Sequence, residues 1–293
     1  MSDAAASGGE PGTPGTDGWR PRLIALDIDG TLLKWVEGAG TTYEQIAPRV
    51  HDAIWRAHEM GAHIVLSSGR SPHGMTRIAD LLAMKGHEDE PLWVVASNGA
   101  VVFRYLPGGE IDVVHEETFD AGPAVRAILE EQPTARVAIE DRGNGYRVTT
   151  PFPEGELHGE MTVTEVEELV SRPVSRVIIR DPDATADDFV DLGARLGLHG
   201  TDYVVGWTAW LDLTPVGVSK ASGLEHVCAA LDLTAADVLA IGDGRNDIEM
   251  LAWAGRGVAM GQSVQPVIDA ADAVTDPVDL DGAAVELERW FGA

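Results

Sequence analysis

Two aspartates directly after an apolar run are the first residues in this chain that could carry out chemistry. The segment Leu23–Leu26 is predicted to be a strand buried on both faces, and Asp27 and Asp29 follow it in a turn with Gly30. Such strands are typical of parallel sheets, which bind ligands at the carboxyl ends of their strands. Two adjacent carboxylates repel each other unless a cation lies between them, and hard oxygen ligands favour Mg²⁺. One carboxylate could then attack a substrate while the other moves protons.

The same residues also have a simpler structural explanation. Asp and Gly commonly follow strands because they form turns, so Asp-x-Asp-Gly alone does not distinguish a turn from a site. An EF-hand loop is excluded, because it needs Gly at its sixth position and Glu at its twelfth. Here Gly30 is the fourth residue counted from Asp27, and Gly38 is the twelfth. The chemical interpretation therefore depends on the segments that follow.

Three further segments place polar residues at the ends of predicted elements. They are Val65–Arg70, a strand ending in serines; Pro215–Lys220, in which a lysine opens a helix; and Ile241–Asp247, an acidic loop after a strand. Together with Asp27–Thr31, and in this order, they resemble the four motifs of the haloacid dehalogenase (HAD) superfamily of phosphatases and phosphotransferases. Ser97–Ala100 and the long stretch between the second and third motifs resemble its Cof-like branch, which carries a type IIB cap. The resemblance covers roughly residues 22–290.

The resemblance implies a role for each catalytic residue. Asp27 would be the nucleophile that forms an aspartyl-phosphate, and Asp29 would protonate the leaving oxygen and then activate water. Ser68 and Lys220 would hold the phosphoryl group and neutralise its charge. The other residues expected in the phosphate pocket are Ile28 and Gly30, through their backbone amides, and Gly69, Arg70 and Asn98.

A Mg²⁺ site is also implied by the resemblance. Asp243 would be a direct ligand, beside the Asp27 carboxylate and the main-chain carbonyl of Asp29. Asn246 and Asp247 would hold the metal or its waters, with Asp247 also orienting the other ligands. The alternative explanation for this loop is an Asp/Asn turn that caps a helix.

Alternating apolar patterns predict a doubly wound, Rossmann-like α/β core with a parallel sheet and an inserted α+β cap domain. We assign residues 20–117 and 212–293 to the core, because strands and helices alternate there. Residues 118–211 suit a small sheet with helices on one face, and we assign them to a cap that selects the substrate. Residues 1–19 lack hydrophobic periodicity and are predicted to form a disordered tail. The first core helix is predicted over Glu44–Met60.

Charge and composition limit the possible partners. The formal net charge of -27 over 293 residues argues against nucleic acid and anionic membranes, which both need basic patches. No stretch approaches the roughly 20 apolar residues that cross a bilayer, and the first residues lack a signal-peptide pattern. Cys228 is the only cysteine, so no intrachain disulfide is possible. We expect a cytoplasmic protein, either a monomer or a dimer.

The expected function is Mg²⁺-dependent hydrolysis of small phosphomonoesters, with sugar phosphates favoured. A phosphotransferase or phosphomutase on the same scaffold is an alternative that would keep Asp27, and a non-catalytic metabolite sensor is another. The cap would exclude bulky substrates such as proteins. Its candidate substrate contacts, each also explained as a surface charge or a packing aromatic, are Arg142, Arg147, Arg176, Arg180, Tyr146, Trp207 and Trp210.

Overall fold

The computed structural model describes residues 18–36, 42–84, 90–141, 145–153, 156–157, 159–181, 183–185, 188–189, 191–192, 196, 201–205 and 210–292. Some sequence predictions fall outside these described residues. They are the tail over residues 1–17 and the cap candidates Arg142 and Trp207. Within the described ranges, no helix is both long enough and apolar enough to span a membrane.

Strands and helices alternate along most of the chain. The strands are β1 (Leu23–Leu26), β2 (Leu33–Trp35), β3 (Thr42–Ile46), β4 (His63–Ser67), β5 (Leu92–Ala96), β6 (Val101–Tyr105), β7 (Ile111–Glu116), β8 (Arg136–Asp141), β9 (Gly145–Val148), β10 (Glu160–Val163), β11 (Val177–Arg180), β12 (Thr201–Val205), β13 (Trp210–Pro215), β14 (Val238–Gly242), β15 (Arg256–Ala259) and β16 (Ala273–Val274). The α-helices are α1 (Pro48–Glu59), α2 (Pro72–Leu81), α3 (Gly122–Glu131), α4 (Val166–Leu169), α5 (Lys220–Ala230), α6 (Ile248–Trp253), α7 (Gln265–Ala270) and α8 (Gly282–Phe291).

Strand β1 lies inside the larger of the two main sheets that the described residues form. The order across this sheet is β16-β15-β14-β1-β4-β5-β6-β7. β16 through β5 are parallel, whereas β6 and β7 are antiparallel additions at one edge. The chain proceeds from β1 to β4 on one side and returns to β14 on the other. Ligands bind at such a switch point in open α/β sheets, and the predicted doubly wound core is confirmed.

The side chains of β1 alternate between two apolar layers. Ile24 and Leu26 pack in the layer that contains α1, α2 and α8. Leu23 and Ala25 pack in the opposite layer, with α5, α6 and α7. All four are fully buried, and complete burial of a leucine or isoleucine contributes about 1.5–3 kcal/mol. The burial of β1 therefore fixes the position of the backbone from which Asp27 and Asp29 continue.

A second sheet has the order β10-β9-β8-β11-β13-β12 and is antiparallel except between β9 and β10. Helices α3 and α4 cover one face, through an apolar cluster that includes Val125, Ile128 and Leu169. This arrangement agrees with the α+β pattern expected of the cap. The predicted division at residues 211 and 212 falls inside β13, which pairs with β12 as far as Pro215. We therefore propose that the cap extends through β13.

The first core helix is shorter than the sequence pattern predicts. Residues Glu44–Ile46, expected to be helical, belong to β3, which forms a two-stranded sheet with β2. Helix α1 begins only at Pro48. Proline disfavours the helical conformation in the residue before it but is well suited to the first helical turn. The prediction was wrong because the apolar residue Ile46 fits the helical spacing although it lies in a strand.

Trp19, which the sequence assigned to the disordered tail, lies in the core. Its ring is 4% exposed and packs edge-on against Trp290, with the ring centroids 5.0 Å apart. Its indole Nε1 donates a hydrogen bond of 3.0 Å to the carbonyl of Ala236. A large aromatic ring whose N–H also has a partner stabilises the contact. The ordered fold thus includes Trp19.

We predict that Trp19→Ala lowers the free energy of unfolding by about 3–5 kcal/mol, because it removes a buried aromatic ring and leaves a cavity. Urea denaturation followed by circular dichroism measures this change. Met60→Ala is the control, since Met60 is 48% exposed and its removal is expected to change stability by less than about 0.5 kcal/mol. Equal effects of the two substitutions would contradict the packing of Trp19.

Candidate active site

Residues from distant parts of the chain meet at the carboxyl end of β1. Asp27 follows β1, Asp243 follows the neighbouring β14, and Lys220 opens helix α5. The fourth residue, Asp247, ends the short 3-10 turn Arg245–Asp247 before α6. All four side chains are buried, and Lys220 and Asp247 have no exposed surface. The structure therefore brings the first, third and fourth predicted motifs together.

Lys220 joins two of the carboxylates. Its Nζ donates to Asp27 Oδ1 at 2.7 Å and to Asp247 Oδ1 at 2.6 Å. Burial opposes the charge of the lysine, but Asp247 and Asp27 together raise its pKa above the usual range. The side chain of Ser219 caps the helix in front of Lys220 by accepting from the backbone of Ser222. The position of Lys220 is thus fixed by both the helix start and the ion pairs.

Gly99 allows helix α5 to approach the sheet this closely. A Cβ atom at Gly99 would lie 1.9 Å from the carbonyl oxygen of Ser219, and its φ of +105° is disfavoured for other residues. Gly30 has a similar function at the first motif, because a Cβ there would lie 2.1 Å from Asp243 Oδ2. Gly99 thus brings backbone against the start of α5, and Gly30 brings backbone against Asp243. A side chain at either position would displace the group that the glycine contacts.

Asp247 organises the acidic loop as well as binding Lys220. Its Oδ2 accepts hydrogen bonds from the backbone N–H of Asp243 at 3.0 Å and of Gly244 at 2.8 Å. With Lys220 on Oδ1, both of its oxygens have partners inside the protein. This geometry matches the orienting function expected of Asp247, whereas Asp243 is left as the better candidate for a direct metal ligand.

The carboxylates of Asp27, Asp243 and Asp247 form a cluster suited to a cation. One ligand oxygen from each lies within 4.8 Å of the others. Burial, and then the charge of Asp247, raise the pKa of Asp27 to about 7 in spite of Lys220. Burial, and then the charges of Asp27 and Asp247, raise the pKa of Asp243 well above its ordinary value. A divalent cation would relieve this repulsion, and these hard oxygen donors fit Mg²⁺.

Asp29 faces a different set of partners. Arg70 donates through Nε to Asp29 Oδ2 at 2.8 Å and through a terminal nitrogen to Oδ1 at 2.5 Å. The hydroxyl of Thr42, in β3, donates to the same Oδ1 at 2.9 Å. Both oxygens of Asp29 are therefore occupied. A carboxylate in this state must exchange a partner before it can pass a proton to a leaving group.

The residues predicted for the phosphate pocket have different partners in the structure. The loop after β4 is tied to the next turn, because Asn98 N donates to the Ser68 carbonyl at 3.1 Å. The hydroxyl of Ser68 accepts from the backbone of Arg70 at 3.3 Å. Gly69 packs against Asn98, where an added Cβ would lie 2.9 Å from its side-chain oxygen. The backbone amide of Gly30 was expected to bind phosphate, but it donates to the Leu33 carbonyl at 2.9 Å in a tight turn.

Sequence reasoning missed Gln262, which links two motifs. Its Nε2 donates to the Gly30 carbonyl at 2.6 Å and lies 3.3 Å from Asp243 Oδ2. Its Oε1 accepts from the backbone of Val278 at 3.0 Å. Its position in the sequence could have indicated a place in the site, because Gln262 follows β15, the strand next to β14. Thr42 had no such signal, because it precedes the predicted helix Glu44–Met60 and the strand that begins with it was not predicted.

The cap candidates divide into two groups. Arg176 and Tyr146 are buried in the cap beside the core, and Trp210 is half-buried near them. Arg180 instead pairs with Glu156 of the cap at 3.3 Å. A buried arginine that is already paired with carboxylates offers no free charge to a substrate. These contacts therefore do not indicate that Arg176 and Arg180 bind an anionic group of the substrate by simple charge attraction.

Comparison with known proteins identifies the family. A model of haloacid dehalogenase-like hydrolases matches residues 24–287, and the chain belongs to this family. A phosphoglycolate phosphatase of Natronomonas pharaonis is 32% identical over 266 residues, which cover 91% of this chain and 96% of the relative. A phosphatase of Bacillus subtilis is 28% identical over 295 residues, covering 90% and 97%. The chain is accordingly a phosphomonoester hydrolase, and the resemblance inferred from its motifs is confirmed.

Solved structures have the same fold. The structure of a sugar phosphatase of HAD subclass IIB superposes with a TM-score of 0.76 at 23% identity, covering 93% of this chain and 100% of its own. A phosphatase from Bacteroides thetaiotaomicron superposes with a TM-score of 0.73 at 26% identity, covering 98% and 100%. Both similarities extend over the core and the cap sheet described above.

We predict that the metal-free protein loses stability between pH 5 and pH 8. The pKa of Asp27 is about 7 in the folded chain against an ordinary 3.8, so the folded state binds its proton more tightly. The stability that this proton contributes is fully present below the ordinary pKa of 3.8, and it is lost as the pH rises through the folded pKa of about 7. Urea denaturation with excess chelator at both pH values measures the loss.

Asp27→Asn cannot ionise and should show a smaller loss over the same pH interval. Asp52→Asn is the matched control, because the Asp52 side chain is 73% exposed, and it should behave as the wild type does. A loss in Asp27→Asn equal to that of the wild type would contradict the assignment to Asp27.

Proposed function

We propose that this enzyme hydrolyses small phosphomonoesters, sugar phosphates in particular, with Mg²⁺ and through an aspartyl-phosphate on Asp27. The observation that carries the proposal is the buried contact between Asp27 and Lys220 at 2.7 Å, inside the acidic cluster at the end of β1. A carboxylate this deeply buried and held by one cation is placed for attack on phosphorus. The position at the switch point of the sheet supports the same conclusion.

Asp27 and Lys220 divide the first step between them. Lys220 holds Asp27 Oδ1, and Oδ2 is the candidate attacking atom. Attack forms a bond from this oxygen to phosphorus and breaks the bond to the ester oxygen. Lys220 remains beside the phosphoryl group as its charge spreads, and Ser68 offers a hydroxyl on the adjacent loop. Fixed charges of this kind stabilise a transition state without reorganising.

The acidic residues would hold the metal. Asp27 and Asp243 would contribute carboxylate oxygens and Asp29 its main-chain carbonyl, while Asp247 orients the loop and Asn246 contacts the metal or its waters. When bound, Mg²⁺ supplies positive charge that offsets the carboxylates and the phosphoryl oxygens. The raised pKa values of Asp27 and Asp243 support the need for such a charge.

Asp29 would act as the acid and base once it is released from Arg70. A substrate phosphoryl group is an alternative partner for the guanidinium, which binds phosphate as well as carboxylate in a bidentate manner. Transfer of Arg70 to the substrate would free Asp29 to protonate the leaving oxygen and later to activate water. Substrate binding and activation of the acid would then be one event.

The cap supports a small substrate. The face of the cap sheet opposite α3 and α4 lies against the loops of the site, through the contacts of Glu140 with Ser97 and of Asp212 with Asn98. Tyr146 is buried and Trp210 is half-buried on this face. Closure over the site excludes water and bulky esters. The similar proteins include a sugar phosphatase of HAD subclass IIB and a phosphoglycolate phosphatase. We favour sugar phosphates because the cap arginines Arg176 and Arg180 are already paired with carboxylates.

We predict that the wild type releases phosphate from a panel of phosphomonoesters with Mg²⁺ and not with excess chelator. Asp27→Asn should lower turnover by at least about 10³-fold, because the amide cannot form the phospho-enzyme. Asp52→Asn is the control and should keep the wild-type rate. A folded Asp27→Asn protein with near wild-type turnover would exclude the mechanism.

Asp29→Asn tests the choice between hydrolysis and transfer. We expect the phospho-enzyme to form slowly and to persist, because the residue that activates water is missing. Rapid quenching followed by intact-protein mass spectrometry detects the added phosphoryl group on Asp27. Rapid wild-type loss of this group to added sugars rather than to water would instead indicate a phosphotransferase.

A further inference from the structure

A buried ionic cluster in the cap lies next to the active site. We call Arg176, Glu140 and Asp212 the cap cluster. The Arg176 guanidinium donates to Asp212 at 2.8–3.2 Å through two nitrogens and to Glu140 at 3.2 Å through the third. The indole of Trp210 adds a hydrogen bond of 3.1 Å to Asp212. Arg176 is 5% exposed, so the geometry of both carboxylates is fixed within the protein.

Both carboxylates of the cap cluster also contact the core. The hydroxyl of Ser97 donates to Glu140 at 2.7 Å, and the side-chain amide of Asn98 donates to Asp212 at 3.2 Å. Ser97 and Asn98 have φ angles of 52° and 54°, in the left-handed region. Non-glycine residues in this region are strained and persist only where neighbours hold them. The cap cluster supplies such neighbours.

The contacts continue from Asn98 into the acidic loop. Its side-chain oxygen accepts a hydrogen bond of 3.0 Å from the side-chain amide of Asn246, which lies within the acidic loop Asp243–Asp247. Its backbone N–H holds the carbonyl of Ser68 at 3.1 Å. Asn98 therefore connects the cap with two of the catalytic loops.

We propose that Arg176 is a positioning residue for phosphoryl transfer, acting through Asp212 and Asn98 on Asn246 in the acidic loop. The proposal rests on the proposed function, because it takes the Asp243–Asp247 loop to hold Mg²⁺. Without Arg176, the half-buried carboxylate of Asp212 would lose its guanidinium partner and be free to turn toward water. Asn98 would then lose the acceptor that fixes its amide, and Asn246 would lose the orientation of its partner.

The test compares two variants of the cap cluster with a matched control. Asp212→Asn places an amide N–H against either Arg176 or Asn98, and Arg176→Lys keeps the charge but loses the bidentate geometry. Arg256→Lys is the control, since Arg256 and Glu286 form another buried pair at 2.6 Å, at the start of β15 and so at the opposite end of the sheet. All three substitutions perturb a buried ion pair.

We expect both cap-cluster variants to raise the dissociation constant for Mg²⁺ about tenfold and to lower kcat by a similar factor. The Mg²⁺ constant is measured by isothermal titration calorimetry without substrate, and kcat and KM with a sugar phosphate at saturating Mg²⁺. Arg256→Lys should lower the melting temperature and leave the Mg²⁺ constant and kcat within about twofold of the wild type.

A double-mutant cycle tests the route through Asn98. Asn98→Gly removes the side chain and keeps the backbone conformation accessible. In this background Asp212→Asn should change the Mg²⁺ constant by less than about twofold, because the connection is already broken. Independent effects that simply add would overturn the route, and this comparison remains available if Arg176→Lys does not fold.

Folded cap-cluster variants with wild-type Mg²⁺ binding and kcat would overturn the proposal, and the cap cluster would then only stabilise the cap. An equal change in Arg256→Lys would overturn it too, because the effect would follow from stability. A wild type that neither binds Mg²⁺ nor releases phosphate would overturn the proposed function and this inference together. A wild type that does both, beside unchanged variants, would overturn the inference alone.

Discussion

The burial of three carboxylates around one lysine is the constraint on which the rest of this structure depends. Removing charges from water is costly, and the cost is offset only where partners are placed with accurate geometry. Lys220 meets this condition because helix α5 starts against the turn at Gly99, and Asp27 meets it because β1 is buried in both apolar layers. The fold of the core is thus the means by which like charges are held together.

Paired cations recur wherever the described residues approach the site. Lys220, Arg70 and Arg176 each contact at least one carboxylate. In a chain with a formal net charge of -27, an anionic substrate meets few unpaired positive groups. In the proposed function, binding proceeds by exchange, in which phosphate replaces a carboxylate as the partner of a guanidinium. Selectivity for phosphate then depends on geometry more than on long-range attraction.

The sequence predicted the core better than the connections between its parts. Asp27 and Asp243 could be placed because apolar runs mark buried strands and polar residues follow them directly. The contact of Asn98 with Asp212 could not be placed, because the two residues are 114 positions apart and Asn98 lies in the turn after β5 whereas Asp212 lies in β13 of the other sheet. Thr42 was missed because the strand that begins with it was not predicted, and Trp19 because of the composition of the residues before it. Such contacts depend on tertiary packing, which local patterns do not encode.

The pairing of β1 with β14 has a consequence for the nascent chain. β1 pairs with β4 on one edge, but its other edge pairs with Val238–Ile241, more than 200 residues later. At about 5–20 residues per second, translation leaves this edge without its native partner for roughly 10–40 s. An unpaired, apolar strand edge is a template for aggregation. The whole cap is synthesised within this interval, so a ribosome-bound chain can complete its lid before it completes its active site.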